Sequence, residues 1–404
     1  MSFDLNRSRR SVSGPRAIRP LWLDFRTYET AVEVFFAGGN PYDLQTLRAY
    51  GHGYPFVYPP VTLPFLALLT VLPRFFHPLY MVQYAVFAGI CMYVLATLVD
   101  SRDPIREWIW TTTAVTCGFA GTYWTLLSGN SDVIVLLLLC LGLVAVASER
   151  WYVSGILFGI AGSIKIIPLV ATGTFLVTDA SLRDRVSGVF GAVTGAVLVF
   201  GSSALFFDAL FPAEFLASVR SEGGVTAIAG EGVVTNFPLL YLWQDIARLA
   251  GVSHAYGIAF HGIFSLAVIS LGIWWVRRTT RPEAALALSL LGTLLVFTRM
   301  KPYYTVYEVP AVVPITAVQR RDNSELVRWP DVILVAVIPF IAKVFYTMLS
   351  RETIRSFHPI ATMALQYAPI LVLLGWAVYR FPAGELSVAD RVRGFRDAAK
   401  RRVK

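Results

Sequence analysis

The chain has 404 residues, of which 56% are hydrophobic, 14% aromatic and 15% charged. Soluble globular chains carry about 45–50% apolar and about 25% charged residues, so this composition excludes a disordered chain, a coiled coil and a disulfide scaffold. The formal net charge of +9 does not indicate nucleic-acid binding, because the basic residues lie in short loops and in the C-terminal tail. The composition predicts an all-α polytopic membrane protein.

Residues 1–20 are rich in Arg and Ser and lack the apolar run of a cleavable signal peptide. We expect this basic N-terminal segment to be followed by one membrane domain over 21–380 and by a basic cytoplasmic tail over 381–404. The distribution of Lys and Arg among the loops places residues 24–74, which include Asp24, outside. Residues 1–20 would then lie outside too, against the positive-inside trend. Either a first helix that relatives possess is missing, or this end of the chain is reoriented.

Nine apolar segments are good candidates for membrane-spanning helices, which require about 20 apolar residues. Two further apolar segments differ, because 57–72 carries three prolines and 153–177 is interrupted by Lys165 and Pro168. The distribution of Lys and Arg favours a broken, re-entrant hairpin for 153–177, and for 57–72 a half-inserted helix pair or a surface helix that does not cross the membrane. The predicted outer loops are then 24–74 and 209–253. The nine predicted spans are 75–99, 108–128, 131–148, 187–207, 254–276, 282–298, 302–317, 330–349 and 361–379.

Polar and aromatic side chains concentrate between Leu23 and Pro60. Asp24 and Tyr28 are four residues apart, so they share one face of a helix. A carboxylate can take a proton from a sugar hydroxyl, and aromatic faces pack against the C–H surface of a sugar. An interfacial aromatic belt with a helix-capping Asp fits the same residues equally well.

Five short motifs carry a resemblance to a known family. They are L-D-F-x-x-Y-x-x-A at 23–31, G-G-N-P-Y-D at 38–43, Y-P-P at 58–60, G-N-S-D at 129–132 and G-I-A-G-S-I-K-I-I-P at 159–168. In this order and spacing they resemble glycosyltransferase family 87. The resemblance implies the C-type membrane glycosyltransferase fold, and the apolar segments predict about nine full spans plus broken or re-entrant helices. It also implies a polyprenyl-phosphate sugar donor, typically polyprenyl-phosphate mannose, and an inverting transfer with Asp24 as the base.

Cations for the donor phosphate are predicted in F-T-R-M-K-P-Y-Y, residues 297–304, at the outer end of a span. Arg299 and Lys301 would be satisfied there by a lipid phosphate, although snorkelling to lipid headgroups accounts for them equally well. The predicted substrate-binding residues are Tyr28, Tyr42, Asp43, His52, Tyr58, Tyr303 and Tyr304. We expect no cofactor and no metal, because no ligand cluster is present and the three cysteines have no paired spacing.

Two charged residues inside apolar segments receive structural interpretations. We expect Lys165 to satisfy carbonyl groups at the helix break or to snorkel, rather than to act in catalysis. Asp132 is expected to cap the helix that follows it, although orienting the acceptor is the other role that its position allows.

The sequence therefore predicts a multi-pass plasma-membrane enzyme with an outward-facing active site and a cytoplasmic C-terminal tail. It would move a hexose, with mannose favoured, from a polyprenyl-phosphate sugar to a lipid or glycan acceptor. Its partners would be these substrates and membrane lipids, and not nucleic acid. A lipid-linked-sugar flippase or small-solute transporter is the alternative, although its polar residues should lie at the bilayer midplane. A non-catalytic assembly subunit is the third hypothesis.

Overall fold

The computed structural model describes residues 23–51, 56–71, 129–130, 132–207, 213–218, 243–244, 246–247, 249–277 and 282–296. Within these ranges every regular element is a helix, which confirms the helical class for this part of the chain. The segments 1–20 and 381–404 lie outside the described residues. So do five of the predicted spans, namely 75–99, 108–128, 302–317, 330–349 and 361–379. The total of nine spans therefore stays a prediction.

The chain divides into two compact units. The first is drawn from Met1–Tyr84, Thr125–Ser131 and Val199–Gly232, and the second from Ala85–Trp124, Asp132–Leu198 and Val233–Lys404. Each unit is built from segments that are distant in sequence. The single membrane domain predicted for 21–380 remains an expectation.

Three helices begin the first unit: α1 (Leu23–Phe36), α2 (Leu44–Ala49) and α3 (Thr62–Val71). α1 packs against both α2 and α3. It ends at Phe36 because Gly38 has φ +77°, a left-handed conformation that glycine adopts at low cost and that terminates helices. α3 has 10 residues and is therefore about 15 Å long, half of the roughly 30 Å of a bilayer core.

The second unit opens with two packed helices, α4 (Asp132–Ala147) and α5 (Trp151–Ile164). The sequence predicted a break in 153–177, and the structure has it at Lys165, whose backbone is extended with φ −139° and ψ 128°. The chain continues as the short helices α6 (Ile166–Ala171) and α7 (Thr174–Val177). Pro168 lies in the first turn of α6, where its missing N–H breaks no helical hydrogen bond.

The next helix, α8 (Leu182–Phe206), contributes residues 182–198 to the second unit, and there its backbone approaches α5 closely. A Cβ atom placed on Gly155 would lie 2.0 Å from the carbonyl oxygen of Gly188, and one on Gly159 would lie 2.1 Å from that of Ala192. Small residues allow such approach, and they are typical of helix interfaces in membranes.

Two long helices complete the described fold, α9 (His254–Val276) and α10 (Pro282–Val296). α10 packs against α4, α6, α7 and α9. Helices are thus present at the predicted spans 131–148, 187–207, 254–276 and 282–298. In the described part of the chain, two helices, Leu182–Phe206 and Ala255–Val276, are long and apolar enough to cross a membrane.

Candidate active site

The predicted base, Asp24, lies in the first turn of α1. The positive end of the helix dipole favours a carboxylate at this position. The Asp24 side chain is partly exposed, and its Oδ2 accepts a hydrogen bond from Nδ2 of Asn130 at 3.0 Å. Asn130 is fully buried. Asp24 is therefore partly accessible and is also held by a hydrogen bond to the protein.

Three of the predicted substrate-binding tyrosines form a connected group that includes Tyr28, one turn further along α1. The hydroxyls of Tyr28 and Tyr58 are 2.7 Å apart, and the Tyr42 hydroxyl donates to the backbone carbonyl of Tyr58. Their exposed fractions are 2%, 5% and 7% for Tyr28, Tyr58 and Tyr42. In this conformation the three rings form part of the protein interior, and stacking against a sugar would require them to become exposed.

The ionisation of Tyr42 fits its role as a hydrogen-bond donor. Burial raises the pKa of its hydroxyl above the ordinary value of 10, and the nearby Glu214 carboxylate raises the pKa further. The hydroxyl therefore stays protonated and keeps its bond to the Tyr58 carbonyl. The ring of Tyr42 also contacts Phe56 and Phe215.

The G-G-N-P-Y-D motif forms the turn between α1 and α2. Asn40 accepts a hydrogen bond from the backbone N–H of Tyr42 through Oδ1, and its Nδ2 donates to the Glu214 carboxylate. Asp43 is the exposed N-cap of α2 and accepts from the backbone N–H groups of Gln45 and Thr46 and from the Thr46 hydroxyl. These bonds lower the pKa of Asp43, the hydroxyl bond most strongly. The motif thus fixes the chain direction between two helices.

Two hydrogen bonds hold the backbone on either side of the Y-P-P segment at 58–60. The Ser218 hydroxyl donates to the carbonyl of Phe56, and the Ser203 hydroxyl accepts from the backbone N–H of Val61. Ser203 lies near the end of α8, and Ser218 lies in the helical segment at residues 213–218. Part of the predicted outer loop 209–253 therefore supports the motif that contains Tyr58.

In the second unit, the structure pairs two charged residues that the sequence interpretation treated separately. Nζ of Lys165 lies 3.4 Å from Oδ1 of Asp132, and the exposed fractions of the two side chains are 11% and 0%. Lys165 thus pairs with a buried carboxylate. The sequence interpretation expected it instead to satisfy carbonyl groups at the helix break or to snorkel. Asp132 does lie in the first turn of α4, where capping was expected.

The described residues include Asp24, Tyr28, Tyr42, Asp43 and Tyr58 from the predicted site. Its remaining members lie outside them, namely His52, Arg299, Lys301, Tyr303 and Tyr304. In the part of the chain that the structure covers, no group of three or more His, Cys, Asp or Glu side chains is arranged to hold a metal ion.

Sequence reasoning missed two contacts at this site. The sequence assigns no role to Asn130 beyond its place in the G-N-S-D motif, and none to Glu214 beyond its place in the predicted outer loop 209–253. The sequence does contain a signal for the first contact, namely an Asn preceded by Gly just before a long apolar helix. An Asn at such a position is expected to be buried, and a buried Asn requires polar partners.

The family comparison matches this chain to glycosyltransferase family 87 over residues 56–299. The matched range contains Tyr58, Asn130, Asp132 and Lys165, and it begins after Asp24. A curated relative, the polyprenol-phosphate-mannose-dependent alpha-(1-2)-phosphatidylinositol pentamannoside mannosyltransferase of Mycobacterium tuberculosis (strain CDC 1551 / Oshkosh), is 28% identical over 257 residues.

That alignment covers 60% of this chain and 54% of the relative, so the chain spans about half the length of the curated protein it matches. No solved structure matches the chain. Because the family match extends over more than half of the residues, the chain belongs to glycosyltransferase family 87.

Proposed function

We propose that this protein is an integral-membrane glycosyltransferase that uses a polyprenyl-phosphate sugar as its donor. Membership of glycosyltransferase family 87 supports the reaction class. The name of the mycobacterial relative supports mannose as the sugar, a polyprenol phosphate as its carrier and a glycolipid as the acceptor. The same membership favours transfer over transport of a lipid-linked sugar.

The observation that carries the assignment of the base is the environment of Asp24. Its carboxylate is partly exposed, lies in the first turn of a helix and accepts one hydrogen bond from a buried neutral amide. A general base must be accessible and fixed in direction, and partial exposure and a hydrogen bond to the protein both occur at this residue.

The proposed step is an inverting displacement. Asp24 takes the proton from an acceptor hydroxyl while that oxygen forms a bond to the anomeric carbon of the sugar. The bond between the anomeric carbon and the phosphate oxygen breaks, and its electron pair leaves with the lipid phosphate. The products are the glycosylated acceptor with inverted configuration, the polyprenyl phosphate and a protonated Asp24, which then loses its proton to solvent.

The departing phosphate requires positive charge, which Arg299 and Lys301 would supply. Tyr303 and Tyr304 follow them in sequence and would contact the donor, and His52 would contact substrate near the Tyr-rich segment. We place this chemistry on the outer face of the membrane, with the C-terminal tail in the cytoplasm. Tyr28, Tyr42 and Tyr58 then act chiefly as the support of the turn that carries Asp24.

The test is transfer from a labelled polyprenyl-phosphate mannose in membranes that contain Asp24→Asn. We expect at least a 100-fold loss of rate, since general base catalysis contributes about 10²–10⁴-fold. Asp179→Asn makes the same substitution at an exposed turn and should retain activity. Full activity of Asp24→Asn would reject Asp24 as the base. Movement of the lipid-linked sugar without product would instead favour a transporter.

A second experiment addresses the donor site. Arg299→Ala and Lys301→Ala should raise the KM for the polyprenyl-phosphate donor more than the KM for the acceptor, because the lost contacts are to the donor phosphate. An unchanged donor KM in the double variant would reject these residues as the phosphate contacts.

A further inference from the structure

We propose that Asn130 is the positioning residue of the catalytic base. The inference rests on the proposed function of Asp24, and it assigns to Asn130 the task of fixing the direction of the Asp24 carboxylate. The supporting contact is the 3.0 Å hydrogen bond from Nδ2 of Asn130 to Oδ2 of Asp24, across 106 positions of the sequence.

The backbone before Asn130 explains how the side chain reaches this place. Gly129 has φ +64°, a left-handed conformation in which any other residue type is strained. Gly129 and Asn130 are both buried. A glycine-dependent turn thus brings a fully buried amide to the first turn of α1, and the orientation of the amide is constrained by the packing around it.

An amide has chemical advantages over the other donors at this position. It donates N–H to the ionised carboxylate, and a carboxylate has about four lone-pair positions, so one such bond leaves others for the acceptor hydroxyl. A hydrogen bond to a charged acceptor is also stronger than one between neutral groups, which improves orientation. Lys or Arg would orient the carboxylate equally well, but the added positive charge would make it a weaker base.

The described part of the first unit holds few other charged residues. α3 and residues 129–130 carry no titratable side chain. The charged residues of this part besides Asp24 are Arg26, Glu29, Glu33, Asp43, Arg48 and Glu214, of which Arg26, Asp43 and Arg48 are exposed. A second carboxylate at position 130 would therefore be the dominant change in the electrostatics of the base.

The experiment uses Asn130→Asp, which keeps the shape of the side chain and replaces the donor with an acid. The new carboxyl group would lie about 3 Å from Asp24, where two carboxylates cannot both ionise easily, so the two groups titrate as a coupled pair. We expect the acid limb of the pH–rate profile of kcat to move by about one unit or more from its wild-type position, because the base then shares its proton with the group at position 130. A purely structural role of Asn130 would lower the yield of folded enzyme and leave this limb in place.

Asn40→Asp is the matched control, because it makes the same substitution in the same unit beside Glu214 instead of Asp24. Its acid limb should remain where the wild-type limb lies. Asn130→Ala supplies a second readout that does not depend on a new charge. Its kcat, calculated per folded enzyme as quantified by size-exclusion chromatography, should fall about 10–100-fold with little change in donor KM. The reason is that misplacement of a catalytic group by about 1 Å can lower the rate 100-fold.

The outcomes separate the two proposals. Suppose that Asp24→Asn is inactive. If the acid limb of Asn130→Asp is then unshifted, or if Asn130→Ala keeps the wild-type kcat, the role of Asn130 is overturned and Asp24 remains the base. Full activity of Asp24→Asn overturns the base and this inference with it. If Asn130→Asp does not fold, the kcat of folded Asn130→Ala decides.

Discussion

Replacing Lys165 with Met would remove the ammonium group that lies 3.4 Å from the carboxylate of Asp132. Met is similar in length and carries no charge, so the variant tests the charge pair with little change in packing. Asp132→Asn makes the reciprocal change at the other end. The double variant removes both charges together and keeps the approximate volume of each side chain.

The burial of the pair sets the expected magnitude. Asp132 is fully buried and Lys165 is 11% exposed, so either charge left in place would lie in a low-dielectric interior after its partner is removed. Removing one member of a buried pair costs about 3–5 kcal/mol, whereas replacing both members by uncharged groups is often near neutral. We therefore expect each single variant to lose about 3–5 kcal/mol and the double variant to lose much less than the sum.

The free energy of unfolding can be measured by SDS titration in mixed detergent micelles, followed by tryptophan fluorescence. A double-mutant cycle then gives the coupling between the two side chains. Arg183→Met removes an exposed cation from the same unit and should change stability by no more than about 0.5 kcal/mol. Single losses below about 1 kcal/mol, or strictly additive losses, would refute the reasoning, because exposed pairs behave in that way.

Three other predictions concern packing, capping and a buried hydroxyl. Gly159→Ala should cost about 1–3 kcal/mol, because the new Cβ would lie 2.1 Å from a carbonyl oxygen of α8, whereas Gly262→Ala, which meets nothing within 4 Å, should cost nothing; SDS titration compares the two. Asp43 has a lowered pKa in the folded protein, so its stabilising contribution is complete above about pH 4 and is lost as the pH falls through that lowered value. Asp43→Ala should remove this acid-dependent part of the thermal stability, and melting curves between pH 3 and pH 6 would detect it. Tyr42→Phe loses the bond to the Tyr58 carbonyl and should lower stability by about 1 kcal/mol, and an unchanged melting temperature would contradict the buried bond.

Local sequence signals predicted the local features of this fold. Apolar runs near 131–148 and 254–276 gave helices at Asp132–Ala147 and His254–Val276, because length and hydropathy are properties of a continuous segment. The break at Lys165 was also predicted, since a charge and a proline interrupt the apolar run there. The end of α1 followed from Gly38, whose positive φ terminates the helix.

Contacts between distant segments could not be predicted in the same way. The bond between Asn130 and Asp24 joins residues 106 positions apart, and the ion pair joins Asp132 with Lys165 across two helices. Hydropathy assigns a cation in an apolar segment either to the interface or to an unidentified partner, and only the packing of α4 and α5 supplies that partner. The tyrosines show the same limit, because sequence position favours an exposed aromatic surface and the fold buries all three.

Two carboxylates, Asp24 and Asp132, each lie in the first turn of a helix, and the contrast between their surroundings bears on the choice of base. Asp132 is fully buried and lies 3.4 Å from an ammonium group, so its charge is compensated and no acceptor hydroxyl can reach it without a rearrangement. Asp24 is partly exposed and is held by a neutral amide, which adds no positive charge that would weaken the carboxylate as a proton acceptor. A base must both be reached by its substrate and gain from protonation, and an ion-paired buried carboxylate does neither. The surroundings of the two residues therefore favour Asp24 for proton transfer and Asp132 for holding the helix break.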